Sequence, residues 1–138
     1  MKIYITLAAI CLIASAAALS IESLNSLREK TEIEAQYQEC AKQENVSEED
    51  ATKLRNKDFA NATPGMKCLG TCFFEKVGIL KDSIVQDDVV LAKLVPQYGE
   101  ENVKNALEKC KNEKGVDRCE TGFKIYECAE YARAEWGH

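Results

Sequence analysis

The chain has 138 residues, of which 18 are Lys or Arg and 23 are Asp or Glu, giving a formal net charge of −5. An acidic balance repels nucleic acid and anionic lipid, so nucleic-acid binding and membrane insertion are not expected. A single histidine and seven cysteines turn attention from imidazole chemistry to cross-links.

Residues 1–18 read as a secretory signal. Lys2 supplies the positive end, Ile3 to Ile13 the apolar stretch, and Ala16-Ala17-Ala18 the small-residue cleavage site. The apolar stretch falls short of the roughly 20 residues that span a bilayer. Cys11 would leave with it, reducing seven cysteines to an even six, the number suited to a closed disulfide set in an oxidising compartment. Losing Lys2 and no acid takes the charge from −5 to −6. The remaining 19–138 is the length of one ordinary domain, expected to be secreted and extracellular.

The periodicity of that domain is helical nearly throughout, and no strand is expected. Ile33, Tyr37, Cys40 and Ala41 mark one face of a helix from about Glu22 to Lys42. Asn45-Val46 breaks it, and Ser47 with Asp50 three residues on reads as a helix start, with Glu48 and Glu49 favourable at the positive end of the dipole. A short helix from Glu48 to about Arg55 follows. Thr63-Pro64 opens the next one, Thr as cap and Pro at the first turn, where its missing N–H costs nothing.

That third helix organises the chain. Cys68 and Cys72 lie four apart on one face, so each reaches outward to a different segment. Met66, Leu69, Phe73 and Val77 share their half of the cylinder, and Gly78 is expected to end it. Asp87 or Asp88 would cap a fourth helix around Val89-Val90-Leu91-Ala92-Lys93-Leu94-Val95, apolar almost all round and so expected to be enclosed by protein, with Pro96 and Gly99 closing it. Val103, Ala106, Leu107 and Cys110 stripe a fifth. Asp117 with Glu120 caps the last, which carries Cys119 and Cys128 to about Ala134 and has an apolar arc wide enough to be sandwiched in the bundle. The leading architecture is an all-α, six-helix, disulfide-stapled domain.

Six cysteines allow fifteen pairings, and counting does not choose among them. Their order, C-x27-C-x3-C-x37-C-x8-C-x8-C from Cys40 to Cys128, resembles the six-cysteine pattern of the insect odorant-binding proteins of the pheromone-binding and general odorant-binding kind. The resemblance covers the whole mature chain. It implies the pairs Cys40–Cys72, Cys68–Cys119 and Cys110–Cys128, holding a helical shell around an apolar cavity. It also implies a carrier of small hydrophobic molecules such as odorants, pheromones or lipidic ligands, with no cofactor and with a membrane receptor as a further partner. A zinc site would want histidines or C-x2-C pairs, and a saposin-like protein would bunch its cysteines near the two ends; neither fits.

The residues expected to line the cavity are Leu69, Phe73 and Val77 on the third helix, Val90 and Leu94 on the fourth, Val103 and Leu107 on the fifth, and Ile125, Tyr126 and Ala129 on the last. Small residues at Gly122, Ala129 and Ala132 are read as leaving room at its centre. The competing reading of each is plain core packing, in a secreted interaction or defence protein with a filled core. A lipid carrier outside olfaction is a third reading.

Catalysis is not expected. His138, the last residue, is the only imidazole, no cysteine is left free, and the acid pairs Glu48/Glu49 and Asp87/Asp88 sit at helix starts as dipole partners. The same lack of histidine leaves no buried imidazole to trigger ligand release in acid. Trp136, on the apolar side of the short tail, is placed to pack over a cavity mouth. Asn45-Val46-Ser47 is a glycosylation sequon in a turn; Asn61-Ala62-Thr63 is another, weakened by the Pro64 that follows.

Overall fold

In the computed structural model, the structure describes residues 2–136, with side chains from 23 onward. It contains the helices α1 (Lys2–Gln43), α2 (Glu48–Arg55), α3 (Pro64–Lys76), α4 (Asp87–Tyr98), α5 (Glu100–Cys110) and α6 (Arg118–Trp136). Two short strands, β1 (Leu80–Lys81) and β2 (Ile84–Val85), stand between α3 and α4. The chain divides into two units, Met1–Ala35 and Gln36–His138.

The first unit is helical, and Leu24, Leu27 and Ile33 are exposed on it. Ile33 therefore does not continue the buried face expected of the first helix. Burial begins one turn later, at Tyr37 and Cys40 in the second unit.

The helix starts of the second unit follow local chemistry. Asp50 N–H donates to Ser47 Oγ at 3.2 Å, Met66 N–H to Thr63 Oγ1 at 3.2 Å, and Glu120 N–H to Asp117 Oδ1 at 2.8 Å. Glu120 reaches back, its carboxylate accepting from Val116 N–H at 2.9 Å. Pro64 occupies the first turn of α3, and Gly78, at φ 84°, follows its C-cap.

Four expectations about the middle of the chain are corrected. Asp87 and Asp88 lie inside the first turn of α4, and the N-cap is Gln86, whose side chain makes no capping bond. Pro96 does not close α4: it sits within the last turn, and the helix ends at Gly99, whose φ of 88° suits glycine. Nor is α4 enclosed, since only Val90 is buried while Leu91, Leu94 and Val95 are half-buried and Ala92 is exposed. The strands were not expected either. They pair antiparallel, Leu80 with Val85 and Lys81 with Ile84, around Asp82 and Ser83, both at positive φ.

The core joins the end of α1 (Tyr37, Cys40), α2 (Leu54), the following loop (Phe59), α3 (Met66, Leu69, Cys72, Phe74), β1 (Leu80) and α6 (Phe123, Ile125, Tyr126). The tightest contact is between α3 and α6. A Cβ placed on Gly122 would lie 2.1 Å from Thr71 Oγ1, and one on Gly70 would lie 3.2 Å from the Tyr126 ring. Thr71 in turn donates to Cys119 O at 2.9 Å. Gly122 therefore leaves no room at the centre; its missing side chain is the space that Thr71 fills. The α4–α5 pair forms a second layer that contributes nothing to this core and buries Val90, Val103 and Cys110 of its own.

Three disulfides tie the layers: Cys40–Cys72 joins α1 to α3, Cys68–Cys119 joins α3 to α6, and Cys110–Cys128 joins α5 to α6. Each closes a loop and stabilises by about 2–4 kcal/mol, chiefly by restricting the unfolded chain. Beside the second bond, Arg118 donates through Nε and Nη2 to both carboxylate oxygens of Glu75, at 3.0 and 2.6 Å. The same Nη2 lies 2.8 Å from Glu44 Oε1, near enough for Coulomb attraction without hydrogen-bond alignment. The Glu75 bonds hold the Arg118 pKa above its ordinary value, against partial burial.

Candidate functional site

The α4–α5 layer is fastened to the core at its edges. α4 packs on α5 and α5 on α6, whereas α4 has no comparable packing on α3 or α6. Lys111 Nζ at the end of α5 pairs with Asp87 Oδ2 of α4 at 3.2 Å, and beyond α5 the Tyr98 ring at the end of α4 meets Trp136 of α6 at 5.0 Å between centroids. Trp136 is half-buried there, over the end of α4. His138 lies outside the described residues.

The ten expected lining residues fall into three groups. Leu69, Ile125 and Tyr126 are buried members of the core. Val90 and Val103 are buried in the α4–α5 layer. Phe73, Val77, Leu94, Leu107 and Ala129 are half-buried, one or two from each of α3, α4, α5 and α6. Phe73 and Ala129 pack against the core, whereas Val77 at the C-cap of α3, Leu94 and Leu107 stand outside it. Phe73 also borders the core, stacked on Tyr37 with centroids 4.0 Å apart.

Within the core Tyr126, expected in the lining, forms a polar pair that the sequence did not reveal. The Tyr37 and Tyr126 hydroxyls share a buried hydrogen bond of 2.6 Å. Burial is the main reason both phenols resist ionisation: Tyr126 is pushed up to about 12, and Tyr37, beside it, rises further. The Arg55 guanidinium lies 5.0 Å from the Tyr37 ring centroid. One turn beyond Tyr126 on α6, the Glu130 side chain is only 14% exposed; it accepts from Arg133 Nη2 at 2.9 Å and lies 3.5 Å from Lys57 Nζ. Burial opposes the charge on Arg133, but Glu130 and the nearby Tyr98 outweigh it, so the Arg133 pKa ends above the ordinary arginine value. The signal available in sequence was the spacing Tyr126, Glu130, Arg133, three polar positions on one helical face.

A shallow groove of about 410 Å³ is lined by the polar and charged residues Glu48, Glu49, Thr52, Lys53, Asn56 and Asp58 and includes none of the ten. Among the described residues no group of side chains is arranged to hold a metal ion, and no helix is long and apolar enough to cross a membrane. Asn45 and Asn61 are both exposed in turns, at φ 53° and 58°.

Comparison with known proteins agrees with this architecture. The PBP/GOBP family profile matches residues 23–131. General odorant-binding protein 56a of Drosophila melanogaster is 47% identical over 109 residues, 78% of each chain. Odorant-binding protein 10 of Aedes aegypti is 30% identical over 117 residues, 83% of each. Among solved structures, the fatty acid binding protein OBP56a from the oral disk of the blowfly Phormia regina superposes with a TM-score of 0.70 at 65% identity, over 78% of this chain and 94% of that one.

Proposed function

The chain belongs to the PBP/GOBP family, and from that premise we propose that it is a secreted carrier that takes up small hydrophobic molecules, with fatty acids the favoured class. The observation that carries this is the set of half-buried apolar side chains outside the core, Val77, Leu94 and Leu107, together with an α4 that packs closely on neither α3 nor α6. A filled core would have absorbed them, because leaving apolar surface in water forfeits about 25 cal/mol per Å². The ligand class is supported by the blowfly structure, which is that of a fatty acid binding protein and is 65% identical.

In this reading residues 1–18 are removed on secretion, 19–138 form the carrier, and the three disulfides hold the shell while α4 and Trp136 adjust around the ligand. Handing the ligand to a membrane receptor belongs to the same proposal. Asn45, exposed in its turn, is the position for an N-linked glycan.

The experiment is displacement of a fluorescent apolar probe. The probe should bind at roughly micromolar strength and be displaced by medium-to-long fatty acids. Leu94→Asp or Leu107→Asp, at half-buried positions outside the core, should abolish binding with the circular dichroism of the fold retained. Unchanged binding in both variants would place the ligand elsewhere.

A further inference from the structure

We infer that α4 and α5 form a helical flap, clamped to α6 at one end and latched to it at the other by the contact of the Tyr98 and Trp136 rings, and that opening of the latch governs ligand exchange. The last clause rests on the carrier reading; the flap itself does not.

The clamp is at the end where α5 finishes. Cys110, the last residue of α5, is bonded to Cys128 of α6, and Lys111 Nζ beside it pairs with Asp87 Oδ2 at the start of α4. Gln86, just before α4, donates its N–H to Ile79 O at 2.8 Å, which ties the same end to the stretch entering β1. The opposite end is a tip, where one residue, Gly99, joins the two helices. Its φ of 88° and ψ of 149° belong essentially to glycine alone, so the chain reverses without a loop. A Cβ there would meet no atom within 4 Å, so the turn stands in open space on that side.

The tip is held more lightly. Tyr98, the last residue of α4, meets Trp136, the last of α6, with ring centroids 5.0 Å apart and planes inclined by 48°, and both side chains are half-buried. At 1.5 Å per residue, Trp136 lies about 12 Å along α6 from Cys128 and Glu100 about 15 Å along α5 from Cys110, so clamp and latch stand two to three turns apart on the same pair of helices. From α4 there is little to add, since only Val90 of its twelve residues is buried and it packs closely on neither α3 nor α6. Pro96 has no N–H to give Ala92 O, which loosens the turn that carries Tyr98. Asn102 Nδ2 donates to Tyr98 O at 3.0 Å, but both belong to the flap and move together. Opening the tip breaks the ring contact and part of the packing of α5 on α6. It uncovers Leu94, one turn back from Tyr98 and left half-buried outside the core. An element cross-linked at one end and held by a ring contact at the other opens at the second, where local opening costs least.

Two measurements on the wild type, Tyr98→Ala and Tyr98→Phe test it, the last variant keeping the ring. Amide hydrogen exchange of the ligand-free protein reads the flap itself. In Tyr98→Ala the last turn of α4 and the first turns of α5 should exchange about three- to tenfold faster, the range set by loss of one aromatic contact, while residues 119–128 of α6 stay as in the wild type and Tyr98→Phe matches it throughout. Faster exchange in residues 119–128 as well would make Tyr98 a general stabilising residue and overturn the latch, as would no change at the tip. Stopped-flow mixing with a fluorescent apolar probe then reads the gate. Tyr98→Ala should raise the association and dissociation rates by a similar factor, with affinity within about twofold of the wild type. A weaker affinity at an unchanged association rate would make Tyr98 a ligand contact and overturn the gate, as would unchanged rates. If the wild type binds no probe, the carrier reading falls and the gate with it, while hydrogen exchange still decides whether the flap opens.

Discussion

Gly122→Ala is the substitution whose outcome follows most directly from the packing of α3 on α6. In an exposed helix the change would stabilise by about 1 kcal/mol, because alanine restricts the unfolded chain more than glycine. Here the new Cβ would meet Thr71 Oγ1 at 2.1 Å, Cγ2 at 2.5 Å and Cβ at 2.6 Å. Rotating the Thr71 side chain cannot relieve the last of these, and moving the helices apart is resisted by Cys68–Cys119, with Cα atoms 4.5 Å apart beside the contact. Overpacking of this kind costs about 1–3 kcal/mol. Displacing Thr71 from its bond to Cys119 O adds roughly 1 kcal/mol more. After the propensity gain, the net loss should be about 2 kcal/mol. Gly70→Ala is the internal control, since its Cβ would stand 3.2 Å from the Tyr126 ring, which can yield by a few tenths of an ångström. That change should fall within about 1 kcal/mol of neutral. Urea unfolding of both variants with disulfides intact, followed by circular dichroism, measures the difference. A Gly122→Ala protein as stable as the wild type would refute the close approach of α3 and α6.

Replacing Cys40 and Cys72 together by serine should cost about 2–4 kcal/mol in the same urea assay; a loss under about 1 kcal/mol would show that the bond constrains little. Phenolate absorbance should show Tyr37 and Tyr126 resisting ionisation above the ordinary tyrosine value, with Tyr126 titrating near pH 12. Because both folded pKa values are raised, their contribution to stability is complete below about pH 10 and is lost as pH rises from there through the folded values, a decline that the Tyr37→Phe/Tyr126→Phe protein should show less steeply. Arg118→Gln should lower stability by about 1 kcal/mol at low ionic strength and by less in high salt, since its partners are partly exposed; an effect independent of salt would deny the ion pairs their role. Between about pH 7 and 5 ligand affinity should change little, and any change should survive His138→Gln; a tenfold loss (about 1.4 kcal/mol) that vanishes in that variant would make the tail a lid.

What was legible in the sequence was what local chemistry decides. Ser47, Thr63 and Asp117 cap helices because each side chain reaches an N–H three residues on, a relation written within four letters. The α4 segment misled because its apolar residues go almost all round, yet with α3 and α6 standing back from it most of them are only half-buried. Pro96 misled because a proline in the last turn removes one bond from a helix already ending. Strands of two residues are too short to display an alternating pattern. Gly122 showed that a side chain is missing, but the sequence does not say what fills the gap; Thr71, fifty-one positions away, does so only once the helices cross. The polar cluster stayed hidden for the same reason, since Tyr37, Tyr98 and Arg133 come from three helices and look ordinary on each.

The central claim is that this domain carries a hydrophobic ligand. Its most direct test is a mass spectrum of the organic extract of the folded protein after exposure to a mixed lipid pool and removal of free lipid, set beside the extract of the same protein reduced and unfolded beforehand. The account predicts fatty acids in roughly one-to-one amount with the folded chain, and little in the extract of the unfolded one. An empty extract from folded protein, or equal amounts from both, would contradict it.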